Sequence, residues 1–157
     1  MHVHISSRAF SQATLGKFIE FINAPANDAM IRSIAGRHPT TDGQAESYCR
    51  REGSLHTGNP KKNVEGKSGD RYRMVNTSNM SDREAERLGL TGHECSKAIN
   101  TVELRIFRAS LKKARLLAQI EFAHAAVMFC RWSSMRELGE DHFKAWLRKS
   151  AGLYPNL

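Results

Sequence analysis

The opening residues His2-Val3-His4-Ile5-Ser6 alternate polar and apolar, which is the period of a half-buried strand. Ser11 is placed to cap a following helix in which Leu15, Phe18, Ile19 and Ile22 recur at helical spacing, and Pro25 ends it. A second helix is expected after a cap at Asn27 or Asp28, with Met30, Ile31 and Ile34 as its apolar stripe and Gly36 as its stop. From Arg37 to Gly69 the periodicity dissolves into small, polar and basic residues centred on Gly58-Asn59-Pro60-Lys61-Lys62-Asn63, so 37–70 is expected to be a mobile basic loop.

Periodicity returns at Arg71 to Thr77, which reads as a strand with Tyr72 and Met74 on one face and Arg71 and Arg73 on the other. Ser81 with Glu84 three residues on has the form of a capping box, opening a short helix that Gly89 closes. The clearest strand is Thr101 to Phe107, with Val102, Leu104 and Ile106 opposite Glu103 and Arg105. Leu111 to Trp132 then predicts a long helix whose stripe is Leu116, Leu117, Ile120, Ala123, Val127 and Met128, and His142 to Leu153 predicts a short one. Together these elements predict one α+β domain over 1–157: a small, mainly antiparallel sheet backed by the helices at 11 to 24 and 111 to 132.

Such a sheet has a polar floor carrying His2, His4, Arg71, Arg73, Glu103 and Arg105. A carboxylate and a histidine converging there suit a divalent cation, and arginines fork onto carboxylate or phosphate oxygens. A plain solvated face accounts for the same pattern.

Charge adds a partner class. Lys and Arg outnumber acids 24 to 16, a formal charge of +8 and a pI near 9.8, which creates a field attractive to nucleic acid, phosphates or acidic protein surfaces. Arg50, Arg51, Lys61, Lys62 and Lys67 are candidate contacts, joined by Arg71 and Arg73. No stacking aromatics interleave with them, which argues against a dedicated single-strand binder. The three cysteines form no C-x-x-C pair, and with no apolar run or leader pattern in view the expectation is a cytoplasmic protein with free thiols and no membrane partner. Zinc binding by His93 and Cys95 has the wrong spacing for a common finger.

Several ordered blocks resemble a known family. His2-Val3-His4-Ile5-Ser6, Phe21-Ile22-Asn23-Ala24-Pro25-Ala26-Asn27, Ile34-Ala35-Gly36-Arg37, Arg71-Tyr72-Arg73-Met74-Val75-Asn76, Thr101-Val102-Glu103-Leu104-Arg105-Ile106-Phe107-Arg108 and Ile120-Glu121-Phe122-Ala123-His124-Ala125 are similar to motifs of amidoligase-like proteins. That resemblance implies the C-terminal half of a glutamine-synthetase-like fold. It also implies an ATP-dependent carboxylate-amine ligase with Mg in the site, Glu103 and one of His2 or His4 as metal ligands, and Arg105 on phosphate or substrate carboxylate.

The family's front strand of paired acids, G-x-E-x-E, has no counterpart before His2. The expectation is therefore a truncated, non-catalytic binding protein that needs no cofactor. Because the family is often carried by phages and mobile elements, the resemblance extends to a host-defence antagonist of the anti-CRISPR type, acting in the host cytoplasm on a nuclease, a ribonucleoprotein complex or its nucleic acid. The alternative is a Mg- and ATP-dependent ligase completed by a second subunit, with Glu103 and Arg105 catalytic and His2, His4 and Glu103 on the metal. A homodimer is expected, to cover the strand edges and apolar surface that the family's front half would cover.

Overall fold

A computed structural model describes residues 1–36, 49–52, 55–65, 72–90 and 99–157. The elements are β1 (Val3–Ser6), α1 (Gln12–Asn23), α2 (Asp28–Ala35), β2 (Val75–Asn76), α3 (Asp82–Arg87), β3 (Thr101–Leu104), α4 (Lys113–Trp132) and α5 (Glu140–Lys149), with short 3-10 turns between several of them. The fold is α+β. Its sheet has three antiparallel strands in the order β1-β3-β2, so β3 lies in the middle.

Local chemistry explains most boundaries. The Ser11 hydroxyl accepts from the Thr14 amide at 3.1 Å and so caps α1, and Ala24 turns the chain to extended backbone before Pro25. Gly36 closes α2 in the left-handed region at φ 68°, where a β-carbon is disfavoured. Asn27 precedes α2 without capping it. Its amide instead donates to the Phe21 and Leu138 carbonyls, both at 2.9 Å, pinning the start of α2 to the loop before α5. The capping box expected at Ser81 and Glu84 does not form either: Ser81 donates to Asn100 Oδ1, and Glu84 accepts from Ser7 and Arg87.

The core joins the sheet's apolar face to α1, α2 and α4. Val102, Leu104, Ile106 and Phe107 are fully buried together with Leu15, Phe18, Ile22 and Ile31. Phe21, Phe122, Phe129 and Phe143 form an aromatic cluster, with ring centroids 5.1 Å apart for Phe21 and Phe143 and 5.2 Å for Phe129 and Phe143. Such pairs add about 0.5–1.5 kcal/mol each beyond the area they bury.

The stripe expected on the long helix holds for one half of it. Phe122, Ala123, Ala125, Ala126, Val127, Phe129 and Cys130 are buried almost all round, whereas Leu116 and Ile120 are exposed and Gln119 is buried between them. The reason is polar: Gln119 Nε2 donates to the Arg108 carbonyl at 3.1 Å, which turns that side of α4 inward at its first turns.

The stretch from 37 to 70 is also more than a loop where it is described. Cys49, Asn63 and Val64 are buried, and the turn Pro60–Asn63 packs on α1 against Gly16, where any β-carbon would overlap the Pro60 carbonyl. Asn63 Nδ2 donates to Glu20 Oε2 at 3.0 Å, and its Oδ1 accepts from the His56 amide at 2.6 Å. Residues 37–48, 53–54 and 66–71 lie outside the described residues, and so do Lys67, Arg71, His93 and Cys95.

Candidate functional site

The register of the sheet builds the site. His4 pairs with Glu103 across β1 and β3, and Asn76 pairs with Glu103 across β2 and β3, so three side chains form one row on the polar face. His2 and Arg105 lie one residue beyond the ends of β1 and β3, and both reach Glu103. The sequence therefore placed His2, His4, Glu103 and Arg105 together as the structure has them.

Arg73 is a correction. A bend at Met74 breaks the expected strand, leaving only Val75–Asn76 paired in the sheet, and it is Asn76 that stands beside Glu103. Met74 drops into the core, while Arg73 bridges to Arg50 and donates to the Arg51 carbonyl at 2.9 Å.

Glu103 is 5% exposed and accepts from several directions. Its Oε2 accepts from Asn76 Nδ2 at 2.7 Å and Asn79 Nδ2 at 3.2 Å, and Arg105 Nη1 reaches both oxygens at 3.2 and 3.3 Å. His2 Nδ1 lies 2.5 Å from Oε1. His4 Nε2 is 4.0 Å from the same oxygen, and its Nδ1 is 3.0 Å from Thr101 Oγ1. Asn76 is itself oriented, because its Oδ1 accepts from the Ser78 amide at 2.8 Å. Burial pushes the Glu103 carboxyl up, but the Asn76 hydrogen bond and the charges of Arg105, His2 and His4 outweigh it and hold the group below its ordinary range.

A carboxylate offers about four lone-pair sites, and Asn76, Asn79, Arg105 and His2 address them all. Magnesium asks for near-octahedral oxygen ligands and keeps its distance from guanidinium charge. Here a single carboxylate faces an arginine 3.2 Å away, and among the described residues no group of three His, Cys, Asp or Glu side chains is placed to hold a metal. Arg105, with a side chain 14% exposed, is turned onto Glu103.

The basic candidates divide by environment. Arg51 is structural: it pairs with Asp28 and donates to the Asn23 carbonyl at 2.7 Å, and burial lowers its guanidinium from the ordinary value. Arg50 is exposed and sits over the Tyr72 ring at 5.9 Å. Lys61 and Lys62 are exposed on the Pro60–Asn63 turn. Sequence reasoning missed Asn76 and Asn79, since amides carry no periodic signal, although Asn76 closes a block that resembled the family.

No family model matches the chain, and no curated protein and no solved structure matches it. Among the described residues no helix is long and apolar enough to cross a membrane.

Proposed function

We propose that this protein is a non-catalytic binding protein whose basic surface engages an acidic partner. The observation that supports it most is the saturation of Glu103: among the described residues the one carboxylate of the polar face is closed by Asn76, Asn79, Arg105 and His2, as in a structural network. Arg50, Lys61 and Lys62 are the exposed cations of the described candidates, and they are the proposed contacts. On the resemblance to amidoligase-like proteins, the scaffold is the C-terminal half of a glutamine-synthetase-like fold. The partner is then a nuclease or ribonucleoprotein complex, with the chain a host-defence antagonist of the anti-CRISPR type.

The test is reconstitution. Added to purified RNA-guided nucleases, the protein is expected to block DNA cleavage by at least one, and Arg50→Glu with Lys61→Glu and Lys62→Glu is expected to relieve the block. Uninhibited cleavage throughout, with no binding to the complexes, rules the reading out.

A second reading has one observation in its favour, the convergence of His2, His4, Glu103 and Arg105 on one face. It is a Mg- and ATP-dependent carboxylate-amine ligase completed by a second subunit. ADP release from ATP, Mg and amino acids that is lost in Glu103→Ala selects this reading; the binding reading expects none above background.

Homodimerisation belongs to the same proposal, through the exposed apolar residues at the start of the long helix. Ala123, Ala125 and Ala126 are buried in the chain's own core, whereas Leu111, Leu116 and Ile120 are exposed at 107%, 37% and 48%. Light scattering that holds at one subunit's 17.7 kDa across dilution excludes it.

A further inference from the structure

A cavity of about 710 Å³ opens where β1 ends and β3 begins, at the Ser6 and Thr101 end of the sheet. Three short segments wall it: Ser6, Ser7 and Arg8 after β1; Ser81, Arg83, Glu84 and Arg87 on α3 and its lead-in; and Ile99 with Asn100 before β3. Hydrogen bonds stitch the walls together. The Ser7 amide donates to the Asn100 carbonyl at 3.0 Å, and Asn100 Oδ1 accepts from the Ser81 amide at 2.9 Å and its hydroxyl at 3.0 Å. Asn100 holds a left-handed backbone at φ 53°, a conformation a non-glycine residue keeps only where its surroundings fix it. The cavity is a built feature of the fold.

Its charge is uneven. Glu84 is consumed inside the wall: Arg87 donates to it at 2.6 and 3.0 Å, and the buried Ser7 hydroxyl at 2.6 Å. The Arg87 hydrogen bonds, then that of Ser7, hold the Glu84 carboxyl down to about 2. Arg87 also donates to the Phe10 and Ser7 carbonyls, so the Glu84 and Arg87 pair is structural and neutral. Arg8 and Arg83 remain. Both are exposed, and neither has a hydrogen-bonded carboxylate among the described residues. Among the described residues the lining has three arginines and one glutamate, a net charge of two positive.

We propose that this cavity is an anion site in which the guanidinium groups of Arg8 and Arg83 hold the phosphate or pyrophosphate group of a small polar ligand. Guanidinium forks match phosphate oxygens, and two of them offset a dianion. The hydroxyl of Ser6 adds a polar contact. Among the described residues the lining contains no aromatic ring and a single large apolar side chain, Ile99, which favours a phosphorylated polar molecule over a stacked nucleobase. The site shares no residue with the Glu103 network and does not depend on the binding function proposed above.

Isothermal titration of the full chain with inorganic pyrophosphate tests it. Saturable binding is expected, with Arg8→Gln and Arg83→Gln each weakening it roughly tenfold and the double variant more, as the loss of a charge-assisted contact implies. Arg83→Lys keeps the charge but loses the fork, and is expected to fall between Arg83→Gln and the unaltered chain. Arg148→Gln on α5 is the control and leaves binding unchanged. A second arm compares a 5′-phosphorylated oligonucleotide with its unphosphorylated form: preference for the phosphorylated end places the phosphate on nucleic acid, whereas equal binding to both leaves the small ligand. Both arginines are exposed, so circular dichroism should report an intact fold, and the single variants carry the test if the double does not fold. No saturable binding, or binding that survives in the double variant, overturns the site.

Discussion

Glu20 and Glu103 lie in two regions of one core, the first on α1 beneath the Pro60–Asn63 turn and the second in the middle of the sheet. They are buried alike, 6% and 5% exposed, yet their surroundings move them in opposite directions. For Glu20, burial raises the carboxyl above its ordinary value, and the hydrogen bond from Asn63 and the charge of His56 recover only part of the cost. For Glu103 the same penalty is outweighed by Asn76, Arg105, His2 and His4. The difference lies in the donors that each backbone setting supplies. A central strand receives side chains from both neighbours, whereas a helix face under one turn receives a single amide.

The comparison is broken most severely at Glu103. Replacing it with Ala leaves Arg105, Asn76 and Asn79 facing one another across a buried gap without their acceptor. A loss of about 3–5 kcal/mol is expected, as for a buried pair with one partner removed. Urea unfolding measures this as a lower midpoint at unchanged slope. A loss below about 1 kcal/mol would mean that the face is solvated and that the network does not hold the sheet.

Glu20→Gln is expected to be far milder, within about 1 kcal/mol of the unaltered chain, because the neutral amide removes a charge that its site disfavours while keeping an acceptor for Asn63. The two residues also predict opposite pH limbs. Glu103, lowered when folded, contributes stability that is present above the unfolded value near 4.5 and is lost as pH falls through the folded value. Glu20, raised when folded, contributes stability that is present below 4.5 and is lost as pH rises through its folded value. Unfolding curves across the acid range should therefore flatten on the acid side in Glu103→Gln and on the neutral side in Glu20→Gln. The same limb flattening in both variants contradicts the contrast.

Legibility in the sequence follows the same divide. β1 and β3 were readable because alternation survives in a strand with one buried face, and that alternation also carried His2, His4, Glu103 and Arg105 to the same side. α1 was readable from Ser11 and Pro25. Where tertiary polar contacts override the local pattern, the reading failed: Gln119 turned the first half of α4, Met74 bent out of β2, and Asn27 and Ser81 gave their side chains to distant partners in place of the caps expected of them. The Glu20 and Asn63 pair spans 43 residues with no periodic trace at either end, so nothing local announced it. Arg51 looked like a surface cation in sequence because its partner Asp28 lies on α2.

The smallest effect tests how far the network extends. His4 shares a row with Glu103, yet its Nε2 stands 4.0 Å away, its side chain is 44% exposed, and its other nitrogen is engaged with Thr101. His2, only slightly less exposed at 42%, is 2.5 Å from the same oxygen. Distance separates the two histidines where exposure does not. In high dielectric an ion pair at 4 Å contributes little, so His4→Ala is expected to change stability by no more than about 0.5 kcal/mol and to leave the Glu103 titration close to that of the unaltered chain. Carboxyl-detected NMR of Glu103 in the variant reads both. A marked rise in the Glu103 value, or a cost above about 1 kcal/mol, would show that His4 belongs to the network and that the polar face is held together as one unit out to its solvent edge.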